Sequence, residues 1–474
     1  MSSVTSLAGY NGTGTQGTAV TDKLDDTVRS VFWNENNTNR ALIYGSQLVE
    51  VPGGGDDKIG GSKTWVLDNT PDVIGDLFLR IRVPAPTTPS STNVLMAQCG
   101  LLNVIDRIDI KVGSQTWQTL DRNTIYALLC TELENGQFNG IVKSLSGGET
   151  VPSNSILPTS ISSVSEPCFF LDERNQGYSY VAEDDKHFSL DVFFPLLAFT
   201  KNYIGVKTSF NSINESGHFY CAAPDQQFTV QIYFSNGNSN STSALSPLPT
   251  CNSVFTKQNT TELQTNLYYR QITMSNIERS SIINAPAGIP KRIKLTQEIP
   301  NIDLNSSRTR IDCSRFNLYA SHLILTVPLL NQDFLARHLF GMESMFNFEL
   351  HINGTSLFGV MPSIAFNNGS SNYYLGINNN KVGLLLDASN SITAASSRIS
   401  DACAQVRYTY IIPLASTAYG GSSLPLNRFD SITLTVTPVT GSTQGVFATN
   451  GASLTCVGES VALYKEGAAS LATY

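Results

Sequence analysis

Charge is what this chain has least of: Asp, Glu, Lys and Arg make up 14% of 474 residues, against about a quarter in an ordinary soluble domain. Thirty basic and 38 acidic residues leave a net charge of −8. No run of Lys and Arg offers the clustered positive face that phosphate binding requires. Lys291-Arg292-Ile293-Lys294 comes nearest, and its alternation reads as one solvated face of a strand. Direct sequence-specific nucleic-acid binding is therefore not expected. Long hydrophobic runs are missing too. The longest, Val192–Phe199, falls far short of the ~20 residues of a membrane span, so no transmembrane segment is expected. Met1–Gly17 is polar and Gly/Ser/Thr-rich, without the basic-then-apolar order of a secretory leader. Synthesis and assembly in the cytosol follow as the expectation, with residues 1–26 as a flexible N-terminal arm.

Chemistry-bearing clusters are equally sparse. The eight cysteines have no Cys-x-x-Cys spacing, which argues against zinc and for buried free thiols in a chain large enough to have a core. The five histidines, His187, His218, His322, His338 and His351, are dispersed, and no catalytic set, metal site or cofactor site is read from them. Glu183-Asp184-Asp185 is the densest acidic group. A calcium site or a glycosidase carboxylate pair is one reading, and a solvated loop before the strand at Phe188–Phe194 is the simpler one. Gly53-Gly54-Gly55-Asp56-Asp57 lacks the Gly-Lys-Ser/Thr ending of a phosphate loop and reads as a turn. Eight Asn-x-Ser/Thr sequons occur, at Asn11, Asn36, Asn214, Asn240, Asn259, Asn305, Asn353 and Asn368. That is the number this composition yields by chance, and Asn240 and Asn368 lie in the most loop-like contexts for a glycan.

What the chain does have is a repeat. Leu77-Phe-Leu-Arg-Ile-Arg-Val-Pro84 is answered by Leu323-Ile-Leu-Thr-Val-Pro328, and Ile108–Thr116 by Phe348–Ser356. Phe193-Phe-Pro-Leu-Leu-Ala198 is answered by Ile411-Ile-Pro-Leu-Ala-Ser416, all three pairs in the same order and about 220–240 residues apart. Such a period is too long for a solenoid and matches a whole β-domain. Strand-like runs dominate, among them Leu77–Val83, Ile105–Val112, Phe228–Phe234, Phe346–Ile352 and Ile432–Val436, bounded by Gly, Pro, Asn and Asp. Short helices are predicted at Asn93–Leu102, Asp333–Met342 and Arg122–Glu134, the last with Asp121 as N-cap. About 75 residues in the first half and about 55 in the second separate the last two signatures. These long, loop-like insertions should leave the same corner of both copies. Ser235–Ser246 with Pro247 and Pro249 reads as a linker. The predicted fold is all-β: two tandem eight-stranded jelly-roll sandwiches with short helices and long loop insertions, at residues 27–250 and 251–474.

Particular residues then resemble a family. Leu424-Pro-Leu-Asn-Arg-Phe-Asp-Ser-Ile432 resembles the Asn-Arg-aromatic-Asp signature near the C-terminus of double jelly-roll major capsid proteins of nucleocytoplasmic large DNA viruses, polinton-like viruses and virophages. Val31-Phe32-Trp33 with Asn39-Arg40, then Gly75-Asp76-Leu77-Phe78, is similar to the family's N-terminal pattern. Ile105–Gly113 looks like its strand ending in Ile-x-Ile-Gly-Gly, with Val112-Gly113-Ser114 here instead, and Gly458–Tyr464 is similar to its closing strand. The resemblance spans about residues 27–465. It implies a structural virion protein with no enzymatic activity or cofactor. Homotrimers of near-hexagonal outline would tile an icosahedral shell and meet neighbouring capsomers, minor capsid proteins and penton proteins. The insertions would point outward and the N-terminal arm inward. A second reading is a tandem β-sandwich carbohydrate-binding or host-attachment protein, and a third a secreted hydrolase. A duplicated lectin should show exposed Trp in both halves, yet Trp33, Trp65 and Trp117 all lie in the first.

Overall fold

Alternation of buried and solvent-facing side chains sets the strands. In Phe228–Phe234 every second residue (Phe228, Val230, Ile232, Phe234) is buried and the residues between are not, the period of two that a sandwich strand requires. The computed structural model describes residues 44–58, 60–67, 73–83, 94–95, 100–133, 141, 145, 178–179, 190–198, 219–220, 226–235, 263–274, 289–304, 306–329, 345–366, 406–414, 424–439, 451–465 and 468–471.

The first half contains β1 (Tyr44–Val51), β2 (Gly53–Gly55), β3 (Ser62–Leu67), β4 (Val73–Val83), β5 (Val94–Leu95), β6 (Ile105–Val112) and β7 (Gln115–Asp121). Helix α1 (Arg122–Glu132) follows β7 directly. Then come β8 (Tyr178–Ser179), β9 (Leu190–Pro195), β10 (Phe219–Tyr220), β11 (Phe228–Phe234) and β12 (Gln264–Met274). The second half contains β13 (Ile289–Ile302), β14 (Thr309–Asp312), β15 (Tyr319–Leu329), β16 (Phe346–Ile352) and β17 (Thr355–Pro362). It continues with β18 (Val406–Pro413), β19 (Leu424–Pro425), β20 (Ile432–Pro438), β21 (Ala452–Lys465) and β22 (Ala468–Leu471).

Setting aside the short β2, β5, β8 and β10, eight strands of the first half pair as sheet I, β1-β12-β4-β9, and sheet II, β3-β11-β6-β7. Setting aside β19 and β22, the second half pairs as sheet III, β13-β21-β15-β18, and sheet IV, β14-β20-β16-β17. Counted within each half, both run 1-8-3-6 and 2-7-4-5. That is the jelly roll, built twice. The three repeated sequence signatures become its third, fourth and sixth strands: β4 and β15, β6 and β16, β9 and β18.

Two expectations change. The division near residue 250 fails because β12 lies beyond it yet pairs with β1 along Leu267↔Val51 to Met274↔Tyr44, and with β4. The first roll therefore runs to Met274, and β13 opens the second. Of the helix expected at Asn93–Leu102, residues 94–95 form a strand and Gly100–Val104 a 3-10 turn; the one expected at Asp333–Met342 lies outside the described residues. Arg122–Glu134, by contrast, is the helix it was predicted to be, ending two residues early.

The first core gathers Trp65, Phe194 and Phe228, and the second Phe346, Phe348 and Tyr410, all buried. In the second, the Phe348 ring lies 5.4 Å from Tyr410 and 5.5 Å from Phe366, both edge to face, the geometry that ring quadrupoles favour. Gly458 on β21 crosses β15 at a register shift between Ala320 and His322. A Cβ there would sit 2.6 Å from the Tyr319 carbonyl oxygen and 2.9 Å from Leu318 Cβ. Gly458→Ala should therefore cost about 1–3 kcal/mol of overpacking, measured by chemical denaturation. Gly359→Ala, where a Cβ meets nothing within 4 Å, should change stability by no more than about 0.5 kcal/mol.

Candidate functional site

The two rolls are joined through α1, which starts where β7 ends. Asp121 closes β7 and caps the helix, its Oδ1 accepting from Thr124 N at 2.5 Å, one of the orphan amides that a helix start must satisfy. All eleven residues of α1 are buried, polar Arg122, Asn123, Thr124, Thr131 and Glu132 among them. A helix buried all round is packed on every side. Here α1 lies against β15 and β21 of the second roll, and β7 lies against β13.

Several polar groups on this surface find partners across the junction, while the buried Thr326 Oγ1 has none among the described residues. Gln118 Nε2 donates to Thr296 Oγ1 at 2.7 Å, and Asn123 Nδ2 to the Gly451 carbonyl at 2.9 Å. Glu298 Oε2 accepts from the Asp121 amide at 3.1 Å and from Thr124 Oγ1 at 2.7 Å. With the single Thr124 hydroxyl proton spent on Glu298, Thr455 donates in the 3.0 Å contact between the two threonines. The Lys294 ammonium pairs with Glu132, a carboxylate fully enclosed by protein.

Burial dominates the electrostatics. It pushes the Glu132 carboxyl up, with the Lys294 charge pulling the other way. Glu298 is held well above the usual carboxylate range, first by desolvation and then by the neighbouring Asp121 charge. His322, buried under the same surface, is lowered to about 3 by desolvation and by Lys294, so it is neutral at physiological pH. Ser321 Oγ gives its proton to the Val457 carbonyl at 3.1 Å. The imidazole proton therefore sits on Nδ1 and is donated to Ser321 Oγ at 2.8 Å.

A cleft of about 180 Å³ opens at the rim of this junction, lined by Asp106, Arg107, Asp121, Arg122, Glu298 and Gly451 among others. Its acids are engaged: Asp121 in the cap, Glu298 with two donors, Asp106 with Arg122 at 3.4 Å. Among the described residues no three His, Cys, Asp or Glu side chains converge as a metal site. The arrangement fixes two domains against each other.

Several residues singled out from the sequence lie elsewhere. Asn240, Asn368, Glu183, Asp184, Asp185 and His187 are outside the described residues. Asn353 forms the β16–β17 turn with φ 49°, and its Oδ1 accepts from Ser431 N at 3.1 Å. The glycine run is β2, followed by a turn in which Asp57 binds Lys63 Nζ at 2.6 Å and Thr265 Oγ1 at 2.5 Å. Cys130, Cys313 and Cys456 are buried free thiols, with burial pushing Cys313 up to about 12. Trp65 and Trp117 are buried, so neither presents the open ring a sugar would stack on. The solvated face expected at Lys291–Lys294 is corrected at Lys294, which α1 covers. Thr124, Lys294, Thr296, Glu298 and His322 were not foreseen as a set. The available signal was polar residues on strands otherwise buried on both faces, such as His322 and Thr326 within His322-Leu-Ile-Leu-Thr-Val327.

No protein-family model and no curated protein sequence matches the chain. Solved structures do. The VP54 protein of PBCV-1, fitted into a reconstruction of the virophage Sputnik, superposes with a TM-score of 0.58 at 11% identity, over 93% of this chain and 99% of that one. The Faustovirus major capsid protein gives 0.54 at 9% identity over 95% and 100%. The fold is the double jelly roll of viral major capsid proteins. The PBCV-1 capsid itself matches at 0.55 and 10% identity, again over 93% of this chain and 99% of that chain. The double jelly roll thus accounts for nearly the full length.

Two measurements check the junction. Lys294→Ala leaves Glu132 enclosed without its partner and should cost about 3–5 kcal/mol, while Glu132→Met with Lys294→Met should return to within about 1 kcal/mol of the starting stability or exceed it. Chemical denaturation reads both. The raised Glu298 pKa means its contribution is fully present below the ordinary carboxylate pKa and lost as pH rises through the raised value. Glu298→Gln, which keeps an acceptor oxygen, should therefore match the parent near pH 4 and exceed it in stability at pH 8. His322 acts oppositely, its contribution present above pH 6.5 and lost as pH falls toward about 3, but it cancels in this difference.

Proposed function

We propose that the chain is the major capsid protein of an icosahedral double-stranded DNA virus, a structural component of the virion. The observation that carries this is the whole-length agreement with capsid double jelly rolls, 93% of this chain against 99% of PBCV-1 VP54, on a topology built twice. In this reading three chains make a near-hexagonal capsomer of six similar sandwiches, which tiles the shell against neighbouring capsomers and meets minor capsid and penton proteins. Assembly takes place in the host cytoplasm. A duplicated domain turns threefold symmetry into near-sixfold packing while each half keeps its own surface. The scarcity of charge suits surfaces packed against many identical neighbours. The role is structural rather than catalytic, and the engaged acids of the junction cleft support that. Among the described residues no helix is long and apolar enough to cross a membrane. Carbohydrate binding is the weaker reading because both described tryptophans are buried.

The mass of the full-length chain by light scattering, with negative-stain imaging of the same peak, tests the proposal. A species of about three times 51.4 kDa with a hexagonal outline is expected. A monomer at all concentrations that binds glycans would overturn it.

A further inference from the structure

The two ends of the junction are closed by different chemistry. At the C-terminal end of α1, Glu132 meets the Lys294 ammonium, and opposite charges cancel. At the N-terminal end two acids from different rolls meet instead. Asp121, buried at the close of β7, and Glu298, half-buried on β13, are both tied to Thr124. Asp121 Oδ1 accepts from its amide at 2.5 Å and Glu298 Oε2 from its hydroxyl at 2.7 Å. The two carboxyl groups also lie within hydrogen-bond reach of each other. A carboxylate only accepts, so that contact is a hydrogen bond only while one of the pair holds a proton. The start of α1 favours charge on its cap, Asp121. The proton therefore belongs to Glu298, where desolvation and the Asp121 charge outweigh the hydroxyl and amide donated to it.

Among the described residues, every cation near the pair is held by another acid. Facing it from β6 and α1 are Asp106, Arg107 and Arg122, which line the same cleft. Arg122 pairs with Asp106 at 3.4 Å. Arg107 pairs with Asp109 at 3.5 Å and lies over the Tyr233 ring at 4.4 Å. From β21, Glu298 is opposed by neutral Thr455, and Pro300 and Asn301 farther along β13 are neutral too. Lys294, on the same face of β13, is taken by Glu132. The cleft of about 180 Å³ lies between these groups, with Asp121 and Glu298 in its lining. Water therefore reaches the pair and can carry the proton away.

We propose that Asp121 and Glu298 share one proton and act as a base-sensitive latch between the two rolls of a chain. Loss of that proton to water sets two negative charges side by side and lifts the first turn of α1 away from β13. The Glu132–Lys294 pair holds the other end, and both rolls stay folded. Below the ordinary carboxylate pKa the latch is fully closed. As pH rises from there toward the raised Glu298 value, the open form, already without its proton, gains on the closed form. The gain is up to about tenfold per pH unit, the slope for one proton, and levels off above the raised value. The latch belongs to the single chain and stands whether or not chains assemble.

Hydrogen exchange of the full-length chain from pH 5 to pH 9, corrected for the intrinsic rate of each amide, tests the latch. Peptides covering Asp121–Leu128 should exchange faster as pH rises, while those from Ile105–Val112 and Leu323–Val327 should not change. In Glu298→Gln, whose carboxamide keeps an acceptor and a donor but no titrating proton, the profile of Asp121–Leu128 should be flat. Asp121→Asn, which still caps the helix but removes the like charge, should flatten it too and serves if Glu298→Gln does not fold. An infrared carboxylic-acid C=O band present in the parent at pH 6 and missing from Glu298→Gln places the proton on Glu298. A flat parent profile, a rise that Glu298→Gln retains, loss of protection by all peptides together, or absence of that band would overturn the latch.

Discussion

Sheet III has to be covered on both faces, and everything about how the two halves sit follows from that. A jelly-roll sheet ordinarily buries one face and wets the other. Here the outer face of β15, β18 and β21 carries His322, Ile324, Thr326, Thr409, Ile411 and Thr455, all buried, and α1 of the other roll lies over it. Polar groups enclosed this way cost free energy unless each finds a partner of good geometry. Gln118–Thr296, Asn123–Gly451 and Thr124–Glu298 meet only if α1 and β7 lie in one register on the second roll. The polar content of the junction therefore specifies orientation, where a purely apolar surface would tolerate sliding.

That specificity comes at an electrostatic cost concentrated in a few groups. Glu132 and Glu298 are forced toward protonation and His322 toward neutrality. In another setting such shifts would suggest a catalytic centre. Here each group has a structural partner and the adjoining cleft has its acids committed, so the perturbation follows from joining two domains through a buried polar surface.

Duplication lets one architecture serve two ends. The inner junction is polar and enclosed. On the corresponding face of sheet I, exposed Leu48 and Phe193 stand beside exposed Glu50 and Arg270.

How much of this was legible in the sequence can be read from particular elements. The three repeated signatures fell on the third, fourth and sixth strands of both rolls, because a strand in a sandwich imposes its period of two on adjacent residues. Asp121 as the cap of a helix beginning at Arg122 was legible for the same reason, since capping is a contact between near neighbours in the chain. The boundary near residue 250 was misplaced because β12 belongs to the first roll through pairing with β1, about 220 residues earlier, and no local pattern encodes a partner so distant. Lys294 looked solvated because the alternation of a strand tells which face a side chain takes, never what lies on that face. Sequence by itself determined the strands, their duplication and the fold class, all consequences of short-range periodicity. Tertiary structure alone decided which sheet would be covered, which acids would be buried and which edge left open, because those depend on segments brought together only by folding.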